Sequence, residues 1–232
     1  MAVSTSPARV DGLPALPGVE HHWWDVPSGC GRVLLHVAEA GAGTPVLLLH
    51  GWPQHWWCWR RVIGRLRNHY RLLAPDPWAR PSPSTVAGLR RAWFAGLVAT
   101  PILGERVVRH PRCVPWFLRL GGQAALFSDE DAALYAEQFR DPARVAAASR
   151  LYRYYLQTAR VVLLRRAYAG QRLSAPTRLL FGADDFYIPL ALLQDIEAHG
   201  DDLTLEVVRG CSHWMPEERP DLIAERALAL FG

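Results

Sequence analysis

Residues 45–51, PVLLLHG, form a continuous apolar run that stops at a glycine. A run this short and apolar at every position predicts a strand covered on both faces, as in a parallel sheet. HWWCWRRVIGRLRNHY (55–70) comes next, with Trp56, Trp59, Val62, Ile63 and Leu66 at helical spacing, and then RLLAP (71–75), a second apolar run. Four tryptophans within 52–59 could form a stacking platform, but packing of a crossover helix on a sheet accounts for them. Strand, helix, strand is the repeating unit of an α/β domain.

The rest of the chain extends the pattern. Upstream, HHWWDVPSG (21–29) and RVLLHVAEAG (32–41) predict two strands joined by a tight turn, so the sheet begins antiparallel and turns parallel. From 83 to about 170 only helical periodicity is present, and Ser128 with Glu130 and Asp131 after it is a helix start. Asp141-Pro142 opens another helix. Strands return with PTRLLFGADD (176–185) and LTLEVVRG (203–210), separated by a helix around LALLQDIEAH, and ERPDLIAERALALF closes the chain as an amphipathic helix. The expected organisation is an α/β core at 1–82 and 171–232 with a helical lid at 83–170.

Composition narrows the function. The formal charge of +4 comes from 26 basic residues, all arginine, scattered among acids. The densest groups (Arg60, Arg61, Arg65 and Arg67; Arg90 and Arg91) lie on helix-like segments as solvated faces, so nucleic acid is not an expected partner. Cys30, Cys58, Cys113 and Cys211 show neither CxxC pairing nor histidine at ligand spacing, so separate thiols are expected and no metal site. The N-terminal MAVSTSPARVDGLPALPG has no apolar core of a signal peptide, and no apolar run reaches the ~18 residues of a membrane span. A cytoplasmic protein that makes no membrane contact is expected.

Three motifs sit just past strand ends, where the loops and helix N-termini of a parallel sheet converge. HGWP (50–53) could supply a backbone N–H to an oxyanion. FGADDFYIP (181–189) offers Asp185 to orient a histidine, with Asp184 capping or solvated. GCSHWMPEERP (210–220) places His213 between the last strand and the last helix, where it can act as a base. Each has a plainer reading as a turn, a cap or a structural histidine.

Together, LLLHGWPQHWWCWR, LLFGADDFYIP and GCSHWMPEERP resemble the α/β-hydrolase superfamily, on its epoxide hydrolase and haloalkane dehalogenase-like side, over nearly all of 21–232. The resemblance implies a mostly parallel α/β-hydrolase-like sheet with a helical lid, no cofactor, and a small apolar substrate. It implies that Trp52 lends its backbone N–H to an oxyanion hole, that Asp185 is the triad acid, and that His213 activates the hydrolytic water. Tyr152 of LYRYYL matches a lid tyrosine that clamps or protonates an epoxide oxygen, or else packs the lid, whereas Tyr154 and Tyr155 are expected to pack. His50, Trp52, Tyr152 and Trp214 would line the substrate site.

One part of the family pattern is missing. Its nucleophile sits on a G-x-[D/S]-x-G elbow, and no two of the 18 glycines here stand four positions apart. Small-residue flanks do not rescue it: Asp76 has Ala74 and Trp78 at ±2, Ser82 has Arg80 and Ser84, and Ser212 has Gly210 and Trp214. RLLAPD resembles the family's fourth strand and PWARPSPSTVAGLRRAW resembles the segment between its sixth strand and the lid, so the two are expected to be fused. That removes ~60 residues, two strand–helix units of ~30 each, including the elbow strand. Three outcomes stay open: an impaired hydrolase with Asp76 as substitute nucleophile, a pseudo-hydrolase that binds an apolar ligand or partner, and a decayed or truncated gene product.

Overall fold

The computed structural model of the chain describes residues 3–4, 13–28, 31–76, 93–123, 125–165 and 170–232. The junction 77–92, Gly29 and Cys30 of the turn expected between the first two strands, and 166–169 lie outside them. The chain divides into two compact units, Met1–Pro77 with Pro220–Glu225, and Trp78–Arg219 with Arg226–Gly232.

In the first unit, β1 (Val3–Ser4), β2 (Val19–Ser28), β3 (Gly31–Ala40), β4 (Pro45–Leu47) and β5 (Arg71–Pro75) form a sheet of order β1-β2-β3-β5-β4. The expected antiparallel start is present, with Trp23 opposite His36 across β2 and β3. β5 sits between an antiparallel neighbour, β3, and a parallel one, β4, with Val46 opposite Leu72. Leu72 and Ala74 alternate into a buried face with their partners Ala40 and Ala38. The sharp return after β3 needs Gly41, whose φ of 78° is left-handed and whose missing Cβ leaves room for the Tyr70 and Arg67 carbonyl oxygens.

The predicted crossover helix is a 3₁₀ turn (Trp56–Trp59) running into α1 (Arg60–Leu66). The His55 imidazole accepts from the Trp57 N–H at its start. Trp56, Val62, Ile63 and Leu66 are all fully buried, at about 1.5–3 kcal/mol for each aliphatic side chain taken from water.

Two expectations need correction here. The 45–51 run is not a strand covered on both faces: regular pairing ends at Leu47, and Leu47 and Leu49 are 57% and 56% exposed while Leu48 is buried. Among the described residues no strand pairs with the far edge of β4. LALLQDIEAH is not an α-helix but two 3₁₀ turns, Leu190–Leu193 and Ile196–His199. Between them Gln194 is extended at ψ 133° and Asp195 is left-handed at φ 59°, which breaks the helical path.

The second unit carries α2 (Trp93–Ala99), α3 (Leu103–Arg109), α4 (Cys113–Leu120), α5 (Asp129–Glu137) and α6 (Pro142–Arg165). Ser128 caps α5 by accepting from the Asp131 N–H at 3.0 Å, as its sequence predicts. Asp141 does the same for Ala143 at α6. Ser149 on α6 donates to the Val98 carbonyl, tying α6 to α2. The same unit holds β6 (Thr177–Gly182) and β7 (Leu203–Val208), a parallel pair, and then α7 (Met215–Glu218). The closing helix α8 (Pro220–Phe231) pairs its Arg226 with Glu206 of β7. No helix among the described residues is long and apolar enough to cross a membrane.

Candidate active site

β6 ends at Gly182, and the chain turns so that the Asp184 N–H donates to the Cys211 carbonyl at 3.0 Å. This brings the loop after β6 against the loop after β7. The His213 Nδ1–H donates to Asp185 Oδ2 at 2.8 Å. Asp185 Oδ1 accepts the backbone N–H groups of Tyr187 (2.7 Å) and Ile188 (2.8 Å), so the buried carboxylate is held at both oxygens. With Nδ1 committed to the acid, the Nε2 of a neutral His213 is the basic nitrogen, the arrangement a general base needs. Asp184 is exposed, in keeping with a solvated role.

Rings enclose the imidazole. Tyr187 and Trp214 meet it edge-on at 5.0 and 4.8 Å between centroids. Tyr187 stacks on Phe117 and donates its hydroxyl to the Phe117 carbonyl at 2.7 Å. Trp214, expected as a substrate contact, is buried and donates its indole N–H to the Leu118 carbonyl. Tyr152 stands in the same unit, and Phe94 lies edge-on both to it (5.6 Å) and to Tyr187 (5.3 Å). Burial, with Tyr187, Tyr155 and Cys113 nearby, pushes the Tyr152 hydroxyl well above the ordinary tyrosine range. A phenol so shifted stays protonated and can donate a hydrogen bond. Tyr154 is 43% exposed.

The base loop is clamped from behind. Glu218 accepts both the Ser212 backbone N–H, at 2.8 Å, and the Ser212 hydroxyl. The neighbouring Glu217 is buried and accepts the Tyr135 hydroxyl at 2.5 Å, and the His213 N–H donates to the Gly121 carbonyl. Sequence reasoning missed Tyr187 and Glu218. Tyr187 had a signal, because an Asp side chain commonly accepts the N–H two residues on; Glu218 had none beyond its position in a first helical turn.

His50 and Trp52 belong to the other unit, on the loop after β4, and the site there is organised by Asp76. This carboxylate is 3% exposed. His36 Nδ1 donates to its Oδ2 at 2.8 Å, the Trp56 N–H donates to Oδ1 at 2.7 Å, and His50 Nε2 lies 3.3 Å from Oδ1. Burial alone would raise the Asp76 pKa, but the bond from His36 and the closeness of His50 outweigh it and hold the carboxyl far below its usual range. His36 Nε2 faces His21 Nδ1 at 3.0 Å. An ionised, doubly bonded and enclosed Asp76 is poorly disposed to attack a substrate.

Cys58, Cys113 and Cys211 are free thiols; Cys30 lies outside the described residues. Among the described residues no group of three or more His, Cys, Asp or Glu could hold a metal ion.

No family model matches the chain. In sequence it is 50% identical to the soluble epoxide hydrolase of a Corynebacterium strain over 42 residues, 18% of this chain and 15% of that enzyme. The match is thus a small part of that relative. The AB hydrolase superfamily protein YfhM of Bacillus subtilis is 22% identical over 276 aligned residues, covering 84% of this chain and 93% of its own. Among solved structures, the Cif epoxide hydrolase of Acinetobacter nosocomialis superposes with a TM-score of 0.78 at 16% identity, over 100% of this chain and 99% of that one.

Proposed function

We propose, for a chain of α/β-hydrolase fold that resembles epoxide hydrolases and haloalkane dehalogenases, that the acid–base half of the active site is present and the nucleophile half is not. The reaction it derives from is hydrolysis of an epoxide, halide or ester on an apolar substrate. The single observation that carries this reading is the bond between His213 Nδ1 and Asp185 Oδ2 in a chain without a G-x-[D/S]-x-G elbow.

Loss of the elbow strand is supported from several sides. The alignment to YfhM is longer than the 232 residues of this chain, so segments of that relative have no counterpart here. The described strands fall into two sheets, and Leu47 and Leu49 stand exposed on one of them. Helices α2 to α6 are then the lid, and Trp52, His50, Tyr152 and Trp214 keep the roles the resemblance gives them. His213 retains the means to deprotonate water, but the covalent ester that would split the reaction into two easier steps cannot form. We expect at least a ~10⁴-fold loss of rate, the scale seen when one member of such a catalytic set is removed.

The aromatic enclosure of Phe94, Phe117, Tyr187 and Trp214 favours a second reading, a pseudo-hydrolase that still binds an apolar ligand. One set of measurements on the full chain separates the two from an active enzyme. An aryl epoxide, a haloalkane and an aryl ester should be hydrolysed no faster than by the His213→Gln variant, while the epoxide or its diol raises the melting temperature. A His213-dependent rate, with a covalent ester on Asp76 found by mass spectrometry and lost in Asp76→Asn, would overturn the proposal.

A further inference from the structure

Helix α4 has two faces with different partners. Phe117 and Leu118 turn inward, toward Tyr187 and Trp214 of the candidate active site. Arg112, Pro115, Trp116 and Arg119 turn the other way and line a cavity of about 600 Å³ shared with the end of α3 and with α5. None of the residues that surround His213 lines this cavity.

Its floor is apolar. Val108, Ala132 and Phe139 are buried there, Ala136 is half-buried, and Trp116 stands 48% exposed at the wall. Small alanines on α5 open the space, and the indole and phenyl rings give it apolar sides. Its rim is charged and unbalanced. Four guanidinium groups, on Arg109, Arg112, Arg119 and Arg140, face two carboxylates, Asp129 and Glu137. Those two are already committed, Asp129 to Arg119 and Glu137 to Arg140. Arg109 and Arg112 have no carboxylate within ion-pair distance among the described residues, so two full positive charges overlook an apolar trough.

The volume lies in the range of small-molecule sites, and an apolar floor with a few convergent charges is what fixes such a ligand in one orientation. We propose that this groove binds a free amphipathic carboxylate, its hydrocarbon tail on Val108, Ala132, Ala136 and Phe139 and its anionic head between Arg109 and Arg112. A neutral amphiphile would leave both guanidinium groups without a partner, and a cationic one would be repelled. The head groups are exposed, so binding weakens as salt rises. The site is independent of the hydrolase reading.

Isothermal titration of the full chain with decanoate, decan-1-ol and decyltrimethylammonium at low salt tests this. Decanoate should bind at one per chain and at least tenfold more tightly than the alcohol, with no binding of the cation. Octanoate, two methylenes shorter, should bind about tenfold more weakly. Arg109→Glu with Arg112→Glu should abolish decanoate binding, and Ala133→Trp, at an exposed helix position, should block the trough with both arginines intact. His213→Gln should leave the affinity unchanged. Equal affinity for decanoate and decanol, or binding that survives both the charge reversal and the filled trough in variants with unchanged melting temperature, would overturn the proposal.

Discussion

His21, His36 and Asp76 show how a few side chains set a response to acid. His36 gives its Nδ1 proton to Asp76, so its Nε2 accepts from His21 Nδ1 and His21 is held neutral. Burial first, then the nearby His36, lowers the His21 pKa to about 4. In the unfolded chain the same group titrates near ~6.5. Between these values the unfolded chain binds more protons than the folded one, so stability is full above about pH 6.5 and falls as the pH drops toward 4. Asp76 acts in a lower window: its folded pKa lies below the unfolded value of ~3.9, so its contribution is lost only as the pH falls beneath that. Thermal melts tracked by circular dichroism from pH 7 to 4 should therefore fall more steeply for the wild type than for His21→Asn, which keeps a donor toward His36. Parallel curves would mean that His21 does not carry the effect. None of this network was legible in the sequence. His21 and His36 lie 15 residues apart and meet only because Trp23 pairs with His36, a register that local pattern does not decide.

At the scale of elements, the dyad depends on how closely two loops pass. Gly182 closes β6 directly beneath the base loop, and a Cβ there would collide with the Ser212 and Cys211 carbonyl oxygens. Backbone cannot yield as a flexible side chain can, so Gly182→Ala should push the His213 loop away from Asp185 and destabilise the chain by about 1–3 kcal/mol, the usual cost of overpacking. The specific readout is the low-field proton resonance of the His213 Nδ1–H bonded to Asp185, which should vanish in Gly182→Ala and persist in Gly210→Ala. Gly210 borders the same loop, and a Cβ on it meets nothing, although its positive φ makes that substitution mildly strained. A retained resonance in Gly182→Ala would show that the loops have slack. The sequence made Asp185 and His213 legible because both come after strands that the apolar pattern marks clearly. It left the Glu218 clamp and the Tyr187 tie to Phe117 hidden, since each joins residues brought together only by packing. The LALLQDIEAH error has a local cause: its apolar spacing is helical, but a left-handed Asp195 interrupts it.

For the molecule as a whole, the lack of a G-x-[D/S]-x-G motif was legible as an absence of spaced glycines, while the exposure of the 45–51 run was not. A continuous apolar run predicts cover on both faces, but Leu47 and Leu49 are exposed, and among the described residues β4 has a strand partner on one edge alone. These two large apolar side chains stand beside backbone groups without a described strand partner. Such an edge is a template for pairing with another chain. The protein should therefore self-associate, with an apparent mass in sedimentation velocity that rises with concentration. Leu47→Lys with Leu49→Lys should suppress this by placing charge on the edge, at little cost to the fold, because exposed positions typically change stability by less than ~0.5 kcal/mol. A wild-type chain that stays monomeric across the whole concentration range, or a double variant that associates as strongly as the parent, would show that the β4 edge is not the surface through which copies meet.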